Sequence, residues 1–432
     1  MGVVCYFDLL PDSIACLILS KLKNAQAVAQ CATVCRRWRI LAQSVDTLTF
    51  ESFKLFEKRV DKSAKASCVE AIVSKVLPHT NGLRDLNISY HPVVWPWIPH
   101  DHFSEQTVCH WLKHVRCSLE RLVLVDPNSA NPQPEKLIHL SECKRLHWLN
   151  LCYGVIPDIP SSCRRFEHLK TCFLGLIVIS DDALQTFVKL CPSLEDLKVN
   201  SCKGLQAPCL VAPNLLSLEF AKMDVCDRNI ACVTVEAPKL VKVCLSYVEE
   251  LKADGQAILE LDLLCHVRPR LRHLPGLASL YLNGEMWELE SILELFKLGT
   301  NLSKLHVDAV IRDKRPMQLE PFYHMLELRS LYLGADLFEC LQAASVSTCN
   351  LKSRICLPKL EDVTAVVHFG NIGCVAVLAA LLKYSTSLKT LQINARKMNK
   401  SMGNEAFFTN VLHLQKEYPQ VTISLSCPEC LI

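Results

Sequence analysis

Cysteine and histidine are the residues of this sequence best suited to chemistry, because both bind metal ions and both serve in catalysis. The chain of 432 residues contains 24 cysteines and 15 histidines. Cys427 and Cys430, near the end, have the spacing of half a zinc site, but the sequence offers no clear second pair. His91, His100 and His102 also lie close together, yet their spacing matches no standard metal-binding pattern. The sequence therefore predicts no metal site and no cofactor.

Catalytic motifs are absent from the sequence as well. It contains no glycine-rich phosphate loop, no Gly-x-Ser-x-Gly turn and no paired-histidine motif of a metalloprotease. Cysteines scattered through a long chain are more often buried free thiols than nucleophiles or disulfide partners. We therefore predict a protein that is not an enzyme and that carries no catalytic residues and no disulfides.

One cluster of basic residues could bind an anion. Arg268, Arg270 and Arg272 alternate within residues 265–276, which also include two histidines. Alternating arginines can hold a phosphate or an acidic peptide, although a solvated loop is the simpler interpretation. Over the whole chain, 47 Lys and Arg stand against 44 Asp and Glu, and this balance argues against nucleic-acid binding.

The sequence also gives no sign of a membrane or of the secretory pathway. No stretch reaches about 18 consecutive uncharged apolar residues, so we expect no membrane span. The first residues lack the basic, apolar and small-residue pattern of a secretion signal. Gly2 would suit an acylation signal, but Tyr6 stands where such a signal needs Ser or Thr. We expect a cytoplasmic or nuclear protein.

Repeats supply the elements that would position a binding site. Beyond residue 80, the pattern Leu-x-x-Leu-x-Leu returns about every 20 to 30 residues, which is the period of leucine-rich repeats. Clear copies begin at Leu83, Leu119, Leu146, Leu169, Leu194, Leu215, Leu240, Ile258, Leu277, Leu302, Leu328 and Leu388, and weaker ones at Leu360 and Val421. The pattern predicts an α/β solenoid of roughly 13 to 14 repeats, with parallel strands on its concave face and helices on its convex face.

One repeat shows the whole predicted unit. Residues 182–190 have the pattern of a helix, Pro192 marks a turn, and a strand follows. Cys191 stands just before that strand and Cys202 at the turn after it, as in the cysteine-containing class of leucine-rich repeat, which this unit resembles.

The N-terminal stretch LPDSIACLILSKL, residues 10–22, predicts a helix with apolar residues on two sides. Pro11 and Asp12 suit the first helical turn, because proline needs no N–H partner there and aspartate complements the helix dipole. One side has the spacing of a buried face and carries Ile14, Leu17, Ile18 and Leu22. The opposite side carries Ala15, Cys16 and Leu19. Such a helix needs a second covering surface.

With the two short helical segments KNAQAVAQCAT and VCRRWRILA that follow it, this stretch resembles an F-box, which implies an N-terminal domain of three helices. We assign residues 5–50 to the F-box, residues 51–82 to a linker and first-repeat helix, and residues 83–432 to the solenoid. The combination resembles the F-box/leucine-rich-repeat proteins of the type common in plants. An N-terminal cap for the solenoid is the alternative interpretation, but a cap would present a polar outer face.

The resemblance implies a function and a set of partners. In that family the F-box binds a Skp-type adaptor, which links it to the cullin of an SCF ubiquitin ligase, and the repeats hold a target protein for ubiquitination and proteasomal degradation. Some of the matching F-box residues must instead hold the helices together, and the sequence does not divide the two sets. The candidate adaptor-binding residues are Leu10, Pro11, Ile14, Leu17, Ile18, Leu22, Val34, Cys35, Trp38 and Leu41.

Candidate target-binding residues follow from the strand pattern. Because the leucines of each strand point into the core, the residues between them point outward. These are Trp148, Asn150, Phe173, Lys198, Tyr281, His306, Tyr332, Gln392 and Asn394. Together with Trp95 and Trp97 in a proline-stiffened insertion, the aromatic members suggest a binding track. Alternatively, the rings of the track lie flat against their neighbours, and the two insertion indoles fold back over the first repeats.

Two other functions remain open from the sequence. The chain could be a small-molecule co-receptor of the hormone-sensing type, in which the arginine cluster would resemble the basic residues that hold an inositol phosphate, although no motif fixes that equivalence. It could also be a repeat scaffold that never meets a ligase.

Overall fold

The structure is a computed structural model of the chain. It describes residues 9–51, 66–90, 102–126, 134–156, 158–221, 229–253, 257–264, 268–270, 274–298, 300–317, 322, 324–347, 357–368, 373–396 and 404–426. Several predictions fall outside these residues and remain predictions, namely those on Trp95, Trp97, His91, His100, Arg272, Cys427 and Cys430. The chain forms two compact units. The first is Met1–Arg228 with Val233–Ala237, and the second is Asn229–Cys232 with Pro238–Ile432.

Three short helices open the first unit, as the sequence predicts. They are α1 (Asp12–Leu22), α2 (Ala25–Ala32) and α3 (Arg36–Gln43). Pro11 immediately precedes α1, and Asp12 places its carboxylate in the first turn. Asn24 caps α2, since its side-chain oxygen accepts hydrogen bonds from the backbone N–H groups of the second and third residues of the helix, at 2.8 and 3.4 Å.

The rest of the first unit contains a parallel sheet, and its helices lie between strands in the sequence. The sheet contains β1 (Thr47–Glu51), β2 (Asp85–Ser89), β3 (Arg121–Val125), β4 (Trp148–Ile156), β5 (Thr171–Ile179), β6 (Asp196–Asn200) and β8 (Ser217–Ala221), side by side in that order. A separate parallel pair consists of β7 (Cys209–Val211) and β9 (Val233–Glu236). The helices are α4 (Ala66–Val76), α5 (Glu105–Val115), α6 (Pro134–Ser141) and α7 (Asp181–Lys189).

The second unit repeats this plan. Its parallel sheet contains β10 (Lys242–Ser246), β12 (Glu260–Leu264), β14 (Ser279–Trp287), β15 (Lys304–Ile311), β16 (Ser330–Leu333), β17 (Asp362–His368), β18 (Thr390–Arg396) and β19 (Thr422–Ser426), in that order. A short separate pair is formed by β11 (Glu250–Ala253) and β13 (Arg268–Arg270). The helices are α8 (Leu289–Leu298), α9 (Ala335–Ser347), α10 (Gly373–Tyr384) and α11 (Asn404–Glu417).

The repeat pattern accounts for the core of each unit. In the first unit, Leu122 of β3 is in register with Leu149 of β4, and both are at most 1% exposed. In the second, Leu261 and Leu280 pair in the same way and are fully buried. The residues between such leucines face the opposite, open side of the sheet. This arrangement confirms the predicted leucine-rich repeats and the α/β fold class.

The predicted helix over residues 182–190 is observed one residue earlier, as α7. Ser180 is the reason, because its side chain accepts a hydrogen bond from the Ala183 N–H at 3.1 Å and so begins the helix at Asp181. The apolar side of α7 packs inward, with Leu184 and Phe187 fully buried.

The stack of strands begins before Leu83, where the first clear copy of the repeat begins in the sequence. β1 begins within the segment assigned to the F-box and ends one residue beyond it, and it pairs with β2, with Leu48 and Phe50 buried. Val45, Leu48 and Phe50 are themselves a copy of the repeat in which two leucines are replaced. The F-box helices and the first strand are therefore continuous in the chain.

Short additional strands, β7, β9, β11 and β13, occur among the described residues of segment 209–270. β9 has the sequence VTVE, in which β-branched residues alternate and favour an extended backbone. Pro208, Pro213 and Pro238 flank β7 and β9 and oppose helix formation there. Among the described residues of this segment, short strands therefore stand where the predicted repeat unit has a helix. Arg268 and Arg270 of the basic cluster lie in β13.

Every cysteine in the described part of the chain is a free thiol, and none of them forms a disulfide there. Burial raises the pKa of the Cys143 thiol to about 12 and that of Cys152 to about 11. Within the same described residues, no helix is long and apolar enough to cross a bilayer. Nor does any group of three or more His, Cys, Asp and Glu residues there form a possible metal site.

Candidate partner-binding surfaces

An exposed apolar face runs along α1. The i, i+3, i+4 and i+8 spacing puts four aliphatic side chains on one side of the helix. They are between 38% and 53% exposed, and we call them the α1 face: Ile14, Leu17, Ile18 and Leu22. The side of α1 whose spacing predicts a buried face is therefore the side that is exposed to solvent. The other side packs inward, with Ala15 and Leu19 fully buried.

The buried side of α1 packs against α3. Leu41 of α3 is only 5% exposed, and its backbone oxygen accepts a hydrogen bond from the Cys16 thiol at 3.8 Å. Arg37 of α3 forms an ion pair with Asp12 at 2.8 Å and also donates to the backbone oxygen of Leu10. These contacts fix the position of α1 from its buried side and its start.

Strand β1 holds the helices in place. The Thr49 N–H donates to the Lys23 oxygen at 2.6 Å, and the Asp46 N–H donates to the Ser20 hydroxyl at 3.2 Å. Ser20 lies on the buried side of α1 and is 8% exposed. The strand stack thus covers the buried side of α1 and leaves the α1 face exposed.

The structure divides the ten F-box candidates into three groups. The exposed ones are Pro11, Ile14, Leu17, Ile18, Leu22, Val34 and Cys35. Leu10 and Trp38 are half-buried, and Leu41 belongs to the helix core, which removes it from the binding set. Sequence reasoning missed Leu9 and Ile40, which are 68% and 64% exposed. Ile40 could have been found from its place on α3, one residue before the buried Leu41.

Three aromatic side chains line up on the open face of the second unit. Tyr281, His306 and Tyr332 are register partners on β14, β15 and β16, and we call them the aromatic ladder. The rings of His306 and Tyr332 are stacked, with centroids 3.9 Å apart. The ring of Tyr281 lies 5.9 Å from that of His306 and is tilted by 37°. The rings thus lie against one another, as in the alternative interpretation, and all three are half-buried.

Charged groups surround the aromatic ladder. The Lys304 ammonium lies 5.2 Å from the centre of the Tyr281 ring, within the range of a cation–π contact. Asp262 is the register partner of Tyr281 and accepts a hydrogen bond from the Asn283 amide at 3.4 Å. Burial raises the pKa of the Asp262 carboxyl and lowers the pKa of His306, which favours a neutral imidazole at pH 7.

Aromatic candidates of the first unit are individually packed. The Arg121 guanidinium covers the Trp148 ring at 3.6 Å from its centre. Phe173 is not in register with Trp148, since its partner on β4 is Asn150, two residues further along the strand. Trp148 lies in the first unit and the aromatic ladder in the second.

The polar candidates make contacts of their own. Lys198 forms an ion pair with Glu219 at 3.2 Å. The Gln392 amide is exposed and donates to the Asn394 side-chain oxygen at 3.1 Å. The Asn150 side-chain oxygen accepts a hydrogen bond from the thiol two residues further along β4, at 3.2 Å.

A shallow cleft in the first unit was not predicted. It has a volume of about 370 Å³ and lies beside the starts of β3, β4, β5 and β6. Its lining is mainly basic and consists of Glu120, Arg145, His147, His168, Lys170 and Ser193. Lys170 is already paired with Glu195 at 2.8 Å. These lining residues precede the repeat strands, outside the outward strand positions that the repeat pattern predicts as target-binding.

Two family models match the chain. A model described as F-box-like matches residues 7–48, which include α1, α2 and α3. A model described as the leucine-rich repeats of FBD-associated F-box protein At5g56370 matches residues 108–281, from within α5 to within β14. The first match contains the α1 face, and the second contains the repeats from β3 to β12.

The chain is also similar to curated proteins of Arabidopsis thaliana. F-box protein At1g10780 is 23% identical over 411 residues, which cover 90% of this chain and 93% of that protein. F-box/LRR-repeat protein At1g67190 is 28% identical over 261 residues, which cover 59% of this chain and 52% of that protein. Putative FBD-associated F-box protein At5g53635 is 28% identical over 245 residues, with 54% and 52% covered. The chain thus spans nearly all of the first relative and about half of the other two.

Proposed function

We propose that this chain, which joins an F-box-like domain to a leucine-rich-repeat region, is the substrate-recognition subunit of an SCF-type ubiquitin ligase. The F-box would bind a Skp-type adaptor, the adaptor would connect the chain to the cullin, and the repeats would hold a target protein for ubiquitination and degradation. Ubiquitin transfer is then the work of other subunits, and this chain is a non-catalytic receptor. We place its action in the cytoplasm or the nucleus.

The exposed α1 face is the observation that carries the proposal. Each fully buried Leu or Ile side chain contributes roughly 1.5 to 3 kcal/mol, so four aliphatic residues left partly in water favour association with a partner. An apolar helix face with i, i+3 and i+4 anchors is a common way to fill a groove on another protein. The F-box-like match over residues 7–48 identifies a Skp-type adaptor as the partner to test.

Arg37 adds to this argument, because it fixes the start of α1. The Arg37–Asp12 ion pair is largely solvent-exposed and contributes little to stability. Its hydrogen bond to the backbone oxygen of Leu10 nevertheless orients the residues that precede the helix. A partner would therefore meet a face whose geometry is fixed before binding, which lowers the entropic cost of association.

The test is a titration of a plant Skp-type adaptor against the full chain by isothermal calorimetry. Leu17 is 53% exposed and lies in the middle of the α1 face. The substitution Leu17→Asp places a charge there and should raise the Kd at least about 30-fold, which corresponds to about 2 kcal/mol. Because the side chain is solvent-exposed, the circular-dichroism spectrum should not change.

A matched control comes from the last helix. Leu412 of α11 is 58% exposed, and Leu412→Asp changes the same residue type at similar exposure. This variant should bind the adaptor as the wild type does. If the wild-type chain shows no adaptor binding, or if Leu17→Asp and Leu412→Asp bind equally well, the proposed function is wrong.

A further inference from the structure

A carboxylate lies beside the aromatic ladder in space that a glycine leaves open. Gly334 follows the end of β16, and its N–H donates to the Val307 oxygen at 2.6 Å. A Cβ added to Gly334 would lie 2.7 Å from Asp308 Oδ1 and 2.7 Å from the Val307 oxygen. The Asp308 side chain therefore rests against the backbone of Gly334, two residues beyond Tyr332. Any larger residue at position 334 would displace the carboxylate.

Asp308 differs from the other carboxylates on the open face of the second unit. Among the described residues, Asp308 makes no hydrogen bond and no ion pair. Glu260 pairs with Lys242 at 2.7 Å, and Asp262 accepts its hydrogen bond from Asn283. Asp308 is half-buried and shares the face of His306, since residues two apart on a strand point to the same side.

The rings of the aromatic ladder form an apolar surface next to the Asp308 carboxylate. Its rings stand side by side on three neighbouring strands, so they form a rigid ridge across two strand spacings of about 4.8 Å each. Lys304, two residues before His306, already places its ammonium against Tyr281. The ridge thus has a cation of the chain itself at one side and an unpaired carboxylate at the other.

We propose that the aromatic ladder and Asp308 bind an arginine side chain of the target protein, with Asp262 adding negative charge at the end of the ridge. An arginine fits both parts, because its aliphatic stem packs on apolar surface while its guanidinium forms two parallel hydrogen bonds to a carboxylate. This proposal rests on the proposed function, since it specifies which segment of a target the repeats hold.

The test uses a series of peptides that differ at one position. Fluorescein-labelled Ser-Ala-X-Ala-Ser-Gly peptides with X as Arg, Lys, citrulline or Glu are displayed on a dense surface, and capture of the full chain is measured. Citrulline has the shape of arginine without its charge. The arginine peptide should capture at least about ten times more chain than the citrulline and glutamate peptides, and more than the lysine peptide. The difference should shrink as salt is added.

Two substitutions localise the effect. Asp308→Asn removes the charge and keeps the shape, so it should abolish the preference for arginine over citrulline. Asp362→Asn is the matched control, since Asp362 lies on the same open face but already accepts a hydrogen bond from the Thr390 hydroxyl at 2.5 Å. The control should keep the wild-type preference.

Several results would overturn the proposal. The wild-type chain could be captured equally by the arginine and citrulline peptides, or by none of the peptides. The third such result is an Asp308→Asn variant that still prefers arginine over citrulline. Adaptor titration of the same variants separates this proposal from the proposed function. Asp308→Asn should bind the Skp-type adaptor normally. Loss of the arginine preference in this variant with intact adaptor binding therefore supports the arginine site alone. Absence of adaptor binding in the wild type would contradict the proposed function and leave the arginine site untouched.

Discussion

The rings of His306 and Tyr332 lie face to face, with centroids 3.9 Å apart and planes inclined by 11°. The two residues are register partners on adjacent parallel strands, and the spacing of those strands sets the spacing of the rings. Each ring therefore removes part of the other from water. The contact orders both side chains on the open face, which makes the ladder a preformed surface.

The first prediction concerns the pH dependence of stability at His306. Burial, together with repulsion from Lys304, outweighs the attraction of Asp308 and Asp262 and lowers the pKa of His306 below its usual 6.5. The unfolded chain then binds a proton more readily than the folded chain, so this group destabilises the fold as the pH falls below about 6.5. His306→Phe should remove that part of the acid sensitivity. The measurement is the unfolding midpoint in urea at pH 7.5 and pH 5.5 for both proteins.

Asp308→Asn provides a second arm of that experiment. Asp308 favours the protonated imidazole of His306. Asp308→Asn should therefore lose more stability between pH 7.5 and pH 5.5 than the wild type does. An equal drop in the midpoint between the two pH values for wild type and His306→Phe would mean that the histidine does not contribute.

The second prediction separates the F-box residues that hold the helices together from those that face a partner. Leu41 is 5% exposed and Val34 is 72% exposed. Leu41→Ala should destabilise the protein by about 2 to 5 kcal/mol, because it leaves a cavity between the helices. Val34→Ala should change stability by less than about 0.5 kcal/mol and should weaken capture of the adaptor instead. Thermal unfolding and adaptor titration are measured on both variants.

The opposite pattern would contradict this division. If Leu41→Ala is as stable as the wild type, the side chain does not hold the helices. If Val34→Ala binds the adaptor with unchanged affinity, the binding surface is confined to the α1 face and does not include the turn between α2 and α3.

Much of the fold follows from the sequence, because the repeat signals its own strands. Each Leu-x-x-Leu-x-Leu copy has two inward leucines at strand spacing, and the pairing of Leu122 with Leu149 shows how directly that pattern sets the register. The signal weakens where other residues fill the same space. β1 uses Val45 and Phe50 in place of leucine, so it merges with the helices before it. The outer strands near residue 234 follow from local β-branched residues and prolines, which a repeat pattern does not reveal.

The candidate surfaces were harder to predict, because exposure depends on contacts between distant segments. α1 is apolar on both sides, and only its packing against α3 and β1 decides that Leu19 is buried and Leu17 exposed. Similarly, Trp148 and Tyr281 occupy outward positions in the same repeat pattern. Nothing in their spacing shows that a guanidinium covers one ring while the other belongs to a stack.

The third prediction concerns the cysteines. Cys35 and Cys117 are exposed, whereas Cys172 and Cys191 are buried and burial raises the pKa of both thiols. A buried thiol with a raised pKa is unreactive, because alkylation requires the thiolate and access to it. Brief iodoacetamide treatment of the native protein should therefore modify the first two and spare the second two. Mass spectrometry should find no stoichiometric disulfide, and a fully formed bridge would contradict the predicted free thiols.

The last prediction concerns Gly175, which leaves room for the ring of Phe173. A Cβ at this glycine would lie 2.7 Å from Phe173 Cε1 and 3.0 Å from Cys152 Sγ. Gly175→Ala should therefore push the ring out of its place and destabilise the protein by roughly 1 to 3 kcal/mol, as overpacking does. Because the clash is with a side chain, the double variant Phe173→Ala/Gly175→Ala should be less destabilised than the sum of the two single changes, which a double-mutant cycle in urea measures. Strict additivity would show that the strain at Gly175 does not come from the Phe173 ring.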